Sequence, residues 1–215
     1  MKTRQQELID NFDTLSDDQK RLAIRYEMAE HNKMLVDAAK NAGVESSLDY
    51  AIFQNHGYQG LYGGMTAKDI HQHKGLKNSE KILDHMGYEE LAANLFRATQ
   101  TEAKLRREKI QGKSAANQTH YNVGKEIRDT ISRLGGTMPE DLPTPAKSIK
   151  QIEREQKKII RKNNKNRPSA TNTETVYIPE DMRLKSTNIV SSSEQLHNPE
   201  HLFMCWLLFL YYFFT

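Results

Sequence analysis

The sequence predicts an all-α protein, a compact helical domain followed by a projecting charged helix and a disordered tail. Three observations predict it. Apolar residues recur at three- and four-residue spacing through the long segments. The segments open on Ser or Thr caps or close on glycine. No stretch shows the strict apolar–polar alternation of a strand ladder.

Ser16 followed by Gln19 is a capping-box signature, and Ile24, Met28, His31, Leu35 and Ala38 then keep helical register until Gly43 offers a stop. Leu48 to Gln54 reads as a shorter helix. Gly57, Gly60, Gly63 and Gly64, with Tyr58 and Tyr62 among them, read as a turn-rich loop. Thr66 with Asp69 is a second capping box, opening a short helix that Gly75 closes, and Ser79 to Met86 reads as another ended by Gly87. Leu91, Leu95, Ala98 and Leu105 mark a longer helix from about Glu89 to Gln111. Ser114 can cap the next, whose stripe is Ala116, His120, Val123, Ile127, Ile131 and Leu134.

Pro139, Pro143 and Pro145 then force an extended connection, because each disfavours helix at the residue before it. The charged helix that follows has only Ile149, Ile152, Ile159 and Ile160 as apolar residues, so it is expected to project or to pair with another helix. The expected division is a helical domain over 1–135, a Pro-marked connection over 136–146, a basic helix over 147–162, a disordered linker over 163–201 and a short hydrophobic terminus over 202–215.

Charge is graded along the chain. The whole carries +3 from 31 Lys+Arg against 28 Asp+Glu, short of the balance of a dedicated nucleic-acid binder. Residues 1–60 hold seven basic and ten acidic side chains, whereas 146–167 hold nine basic and two acidic. Any nucleic-acid contact is therefore expected downstream. The single cysteine, Cys205, excludes an internal disulfide and a multi-cysteine zinc site, and together with a charged opening lacking a signal-type apolar region it points to the cytoplasm. Leu202 to Phe214 form thirteen apolar or aromatic residues, too few to span a bilayer as a helix, so an aggregation-prone terminus is expected rather than a membrane anchor.

No residue pattern supports catalysis or a cofactor. There is no G-x-S-x-G elbow, and the loop GYQGLYGG lacks the Walker Lys-Ser/Thr pair. His71 and His73 are two apart on one helix and diverge, which argues against metal chelation; His120 and His31 fall on apolar stripes and are expected in the core. Binding candidates are the basic side chains, since phosphate contact needs positioned cations and no special spacing. One cluster is Arg97, Lys104, Arg106, Arg107 and Lys109, taken as the polar surface of its helix with Glu102 and Glu108 as available acidic partners of Arg106. The other is Lys147, Lys150, Arg154, Lys157, Lys158, Arg161 and Lys162, expected to spread around their helix and so to give electrostatic affinity without sequence readout.

The stretches QNHGYQGLYGG at 54–64, KILDHMG at 81–87, ELAANLFRATQTEAKLRRE at 90–108 and VGKEIRDTISRLGGTMPEDLPTPAKSIKQIE at 123–153 resemble, in order, those of the DNA-damage-inducible protein D family. The resemblance covers about residues 3–160. It implies a non-catalytic accessory protein made under SOS control, with a recombinase filament or another DNA-repair protein as partner. The alternative is a phage-derived nucleic-acid-binding or antirepressor-like module that contacts DNA directly through the basic helices. A metal-dependent hydrolase is a third reading and needs bound metal. The resemblance also implies a BRO-like domain preceding this stretch; its absence here suggests a truncated member and bears on autonomous DNA binding, and the sequence beyond about 163 departs from the family.

Overall fold

A computed structural model describes residues 12–165 of the chain. Among them are six α-helices and no strand: α1 (Asp17–Asn41), α2 (Ser47–Leu61), α3 (Ala67–His73), α4 (Tyr88–Arg107), α5 (Lys113–Arg133) and α6 (Ile149–Lys165). Short 3-10 turns lie at Phe12–Thr14, Ile82–His85 and Pro139–Asp141. The expected linker beyond residue 165 and the hydrophobic terminus lie outside the described residues.

Local chemistry sets most of the ends. Ser16 and Thr66 form the expected capping boxes, and Ser46 with Asp49 forms a third that opens α2. Gly43 closes α1 with φ +94°. Lys109 closes α4: at φ 48° it takes the left-handed position, its N–H donates to the Arg106 carbonyl, and the Ile110 N–H reaches back 3.1 Å to the Leu105 carbonyl. The residue capping α5 is Gly112, whose carbonyl accepts from Ala116, so Ser114 lies inside the first turn and is not the cap.

Two expectations fail for tertiary reasons. Ser79–Met86 is not an α-helix; only Ile82–His85 coils, because the Met86 and Asp84 carbonyls accept at 2.9 and 3.2 Å from the buried Arg21 guanidinium. The glycines at 57 and 60 are not in a loop either. They lie within α2, and only Gly63 and Gly64 have positive φ in the turn that follows.

Those two glycines face α5, and this is where the helices pack hardest. The most extensive interhelical contact joins α2 to α5, the next joins α1 to α4, and α4 meets α5 between the two pairs. A Cβ on Gly60 would run into the Tyr121 carbonyl; one on Gly124 would lie 2.7 Å from the Gly57 carbonyl oxygen and 2.8 Å from the Leu61 nitrogen. Backbone therefore lies against backbone, and any side chain at these positions would push the pair apart. One apolar cluster gathers around Ile24, Met28, Leu61, Leu91 and Ile127, a second around Leu35, Phe53, Ala98 and Ala116.

The proline-marked connection is held to this body. Arg128 donates to both carboxylate oxygens of Glu140 at 2.8 and 2.6 Å and to the Leu61 carbonyl, and Pro139 is buried. Beyond it, Ile149 and Ile152 are buried where the first turns of α6 meet α1 and the 82–85 turn, while Ile159 is 57% exposed. The charged helix is thus docked at its start and bare farther on.

In an open helix, Gly→Ala stabilises by about 0.5–1 kcal/mol. Here the sign reverses: Gly60→Ala and Gly124→Ala should each destabilise by about 1–3 kcal/mol through overpacking. Urea midpoints of the two variants check this, and a midpoint at or above wild type would refute the backbone-to-backbone crossing.

Candidate partner and nucleic-acid interface

The structure divides the α4 cations into separate roles. Arg97, expected on the polar surface, is 1% exposed and is not available to any partner. Arg97 falls where α4 is covered by α2 and α5. Its guanidinium lies over the Tyr58 ring at 4.8 Å, donates to Asn94 Oδ1 at 3.2 Å, and donates to His120 Nε2. His120 Nδ1 in turn lies 3.0 Å from the Phe53 carbonyl, which can only accept. The proton therefore sits on Nδ1, and the ring is neutral.

This arrangement continues inward as a chain of hydrogen-bonded polar groups. Asn94 donates to the Tyr62 hydroxyl at 2.7 Å, that hydroxyl donates to Glu90 at 2.9 Å, and Glu90 accepts from Lys74 at 2.8 Å in an ion pair with both side chains buried. Burial pushes the Glu90 carboxyl up from its ordinary range, against the pull of Lys74. Burial, and then the Arg97 charge, hold His120 well below the ordinary histidine value. This network ties α2, α3, α4 and α5 together through buried hydrogen bonds.

The remaining cations of the cluster stay at the surface. Arg106 pairs with Glu102 as expected, and its guanidinium also reaches the Met34 carbonyl of α1. Glu108 pairs instead with Lys104 at 2.7 Å and Arg107 at 3.4 Å. Lys109 is exposed at the helix end. Lys104 and Arg107 line an open groove of about 430 Å³ between α4 and α5, with Phe96, Val123 and Ile127 as its apolar members and Gln100, Asn122, Glu126 and Thr130 completing it. Sequence reading missed this groove because its apolar members come from two helices whose crossing no single-helix pattern encodes.

The cations of α6 do not scatter. At 100° per residue, Lys150, Arg154, Lys157, Lys158, Arg161 and Lys162 fall within an arc of about 140°, and the isoleucine positions 149, 152, 159 and 160 fall within about 100° on the other side. The expectation of an all-round distribution is corrected by that register. All six cations are exposed, and none is ion-paired with a carboxylate among the described residues. Lys147 lies just before the helix and pairs with Glu155 at 2.7 Å.

His71 and His73 diverge as their spacing predicts: His71 Nε2 meets the Lys77 and Glu80 carbonyls, and His73 Nε2 the Glu140 carbonyl. Among the described residues no group of three His, Cys, Asp or Glu is placed to hold a metal, and no helix is long and apolar enough to cross a membrane.

The family model of the DinD C-terminal domain matches residues 15–152. The chain belongs to the DinD C-terminal domain family. The DNA damage-inducible protein D of Escherichia coli (strain K12) is 63% identical over 155 residues, which are 71% of this chain and 57% of that protein. The chain thus spans about 57% of the length of that relative. No solved structure matches. The DinD C-terminal match takes in both helix pairs and the docked start of α6, and stops before most of the basic arc.

Two expectations follow for this DinD domain. Arg97→Met should lower stability by about 2–4 kcal/mol, because it strands His120 and Asn94 without their donor, while leaving the salt dependence of any DNA binding unchanged at equal folded fraction. Chemical denaturation and a salt titration of the same variant check both halves. The second expectation concerns pH. Unfolded His120 takes a proton near pH 6.5, whereas the folded ring resists it, so stability is full above about 6.5 and is lost as pH falls below it, by up to about 1.4 kcal/mol per unit. Urea midpoints at pH 8, 7, 6 and 5 should fall more steeply for wild type than for His120→Gln; parallel curves would remove His120 as the cause.

Proposed function

We propose that this chain is a non-catalytic accessory component of the bacterial DNA-damage response that docks on a recombinase–DNA filament and alters its stability or access. The relative at 63% identity is named for its induction by DNA damage, which supports the setting. The observation that carries a binding role is the α4–α5 groove. Its apolar residues Phe96, Val123 and Ile127 lie beside Lys104 and Arg107, an apolar floor with a charged rim of the kind a partner segment can engage. The groove and the outer face of α6 are exposed surfaces available to such a partner.

Direct contact with DNA by the basic helices is the second reading, and the one-sided arc on α6 favours it. The two separate by substrate. A filament-binding protein retains more on recombinase-coated single-stranded DNA than on the same DNA bare.

Co-sedimentation of the full chain with both substrates, alongside a Lys104→Glu/Arg107→Glu variant whose helicity is verified by circular dichroism, provides the test. The expected outcome is preferential retention on the coated DNA, reduced by about tenfold or more in the variant, the equivalent of 1.4 kcal/mol or more. Equal retention on coated and bare DNA would sink the filament reading.

A further inference from the structure

We infer that the exposed face of α6 is a binding site for the phosphate backbone of duplex nucleic acid, read without regard to sequence. This stands apart from the filament reading, since it rests on a different element and needs no protein partner.

The argument begins with how α6 is held. Ile149 and Ile152 are buried against α1 and the 82–85 turn, which fixes the rotation of the helix about its own axis. That rotation turns the opposite side outward, so Lys150, Arg154, Lys157, Lys158, Arg161 and Lys162 are presented together. The two acidic residues, Glu153 and Glu155, fall outside the arc on either side of it by helical register, and Glu155 is already paired with Lys147. The arc therefore holds a concentration of positive charge without an internal carboxylate to cancel it, and charge of one sign on one face attracts a polyanion.

The choice of duplex follows from what the face contains and what it lacks. Single-strand sites combine cations with aromatic side chains on which bases stack, and α6 has no aromatic residue from Ile149 to Lys165. A rigid helix about 10–12 Å across matches a major groove about 12 Å wide, where long Lys and Arg side chains fanned over about 140° reach phosphates on both walls. Four of the six cations, Lys150, Lys157, Lys158 and Lys162, are point charges on flexible stems that suit phosphates, and the one amide in the arc, Gln151, is engaged with the Ser148 backbone N–H at 2.8 Å. This composition favours backbone contact without sequence preference.

The test uses the full chain and a fluorescein-labelled duplex of about 25 base pairs in three unrelated sequences, titrated by anisotropy at several salt concentrations. A fourfold variant, Lys150→Gln, Arg154→Gln, Lys158→Gln and Arg161→Gln, keeps good helix formers at every position, and circular dichroism verifies that the helix persists. Each lost contact should reduce the slope of log affinity against log salt by about 0.9, so the variant should lose about 3–4 from the slope on all three duplexes alike. A Lys104→Gln/Arg107→Gln variant should leave the slope unchanged. The inference fails if wild type shows no salt-sensitive duplex binding, if the fourfold variant keeps its slope, or if the α4 variant loses as much. It also fails if a single strand of equal phosphate number binds more tightly, if one duplex alone is bound, or if an acidic polypeptide such as poly-glutamate displaces the duplex at equal charge concentration.

Discussion

Gly57, Arg97 and His120 meet at one point between three helices, and the rest of the molecule is arranged around that meeting. A Cβ on Gly57 would collide with both the Arg97 guanidinium and the His120 ring, so the arginine and histidine occupy space that only glycine leaves open. Putting a cation there is costly, because desolvation of a guanidinium is repaid only by geometry. The repayment comes from the Tyr58 face, the Asn94 amide and the neutral His120 nitrogen, each supplied by a different turn of α2, α4 or α5. Moving any of the three helices breaks a bond in this set. The same placement carries Tyr62 to Glu90 and Glu90 to Lys74, so the polar chain extends the constraint from the α2–α5 crossing to the end of α3.

This inward use of polar groups shapes what the surface can do. Arg97, His120, Glu90 and Tyr62 are buried and hydrogen-bonded to one another or to their neighbours, so they are not offered to solvent. What faces solvent is a groove with a basic wall and a helix with a basic face. Were both proposed surfaces to engage one assembly, binding at one would raise the effective concentration at the other. A phosphate site on α6 and a protein site between α4 and α5 would make such a pair.

Reading residues in order recovers the helices well and their crossings poorly. Ser16 with Gln19 and Thr66 with Asp69 cap where expected, since a capping box is a bond between residues three apart and needs nothing from the rest of the chain. The core positions Ile24, Met28, His31 and Leu35 are buried for the same local reason, one stripe on one helix. Gly57 and Gly60 were legible only as turn formers, because glycine signals both a turn and a close approach, and the partner that distinguishes them is α5, some sixty residues away. The α6 arc was legible all along in the spacing 150, 154, 157, 158, 161 and 162, and an angular projection of those positions finds it.

By itself, then, the sequence determined the all-α class, the capped starts of the helices, the core stripes, the divergence of His71 and His73, and the family to which the chain belongs, all of which depend on neighbours within about one helical turn or on the order of whole motifs. Tertiary structure decided which polar residues are spent inside. Arg97 and Lys104 are seven residues apart on the same helix with the same kind of charge, yet one is buried on His120 and the other lines an open groove. Tertiary structure likewise decided that α6 lies down on α1 through Ile149 and Ile152 and leaves Ile159 bare. The physical reason is common to both: burial is a property of what packs opposite a side chain, and the opposing surface comes from distant parts of the chain that local periodicity does not encode.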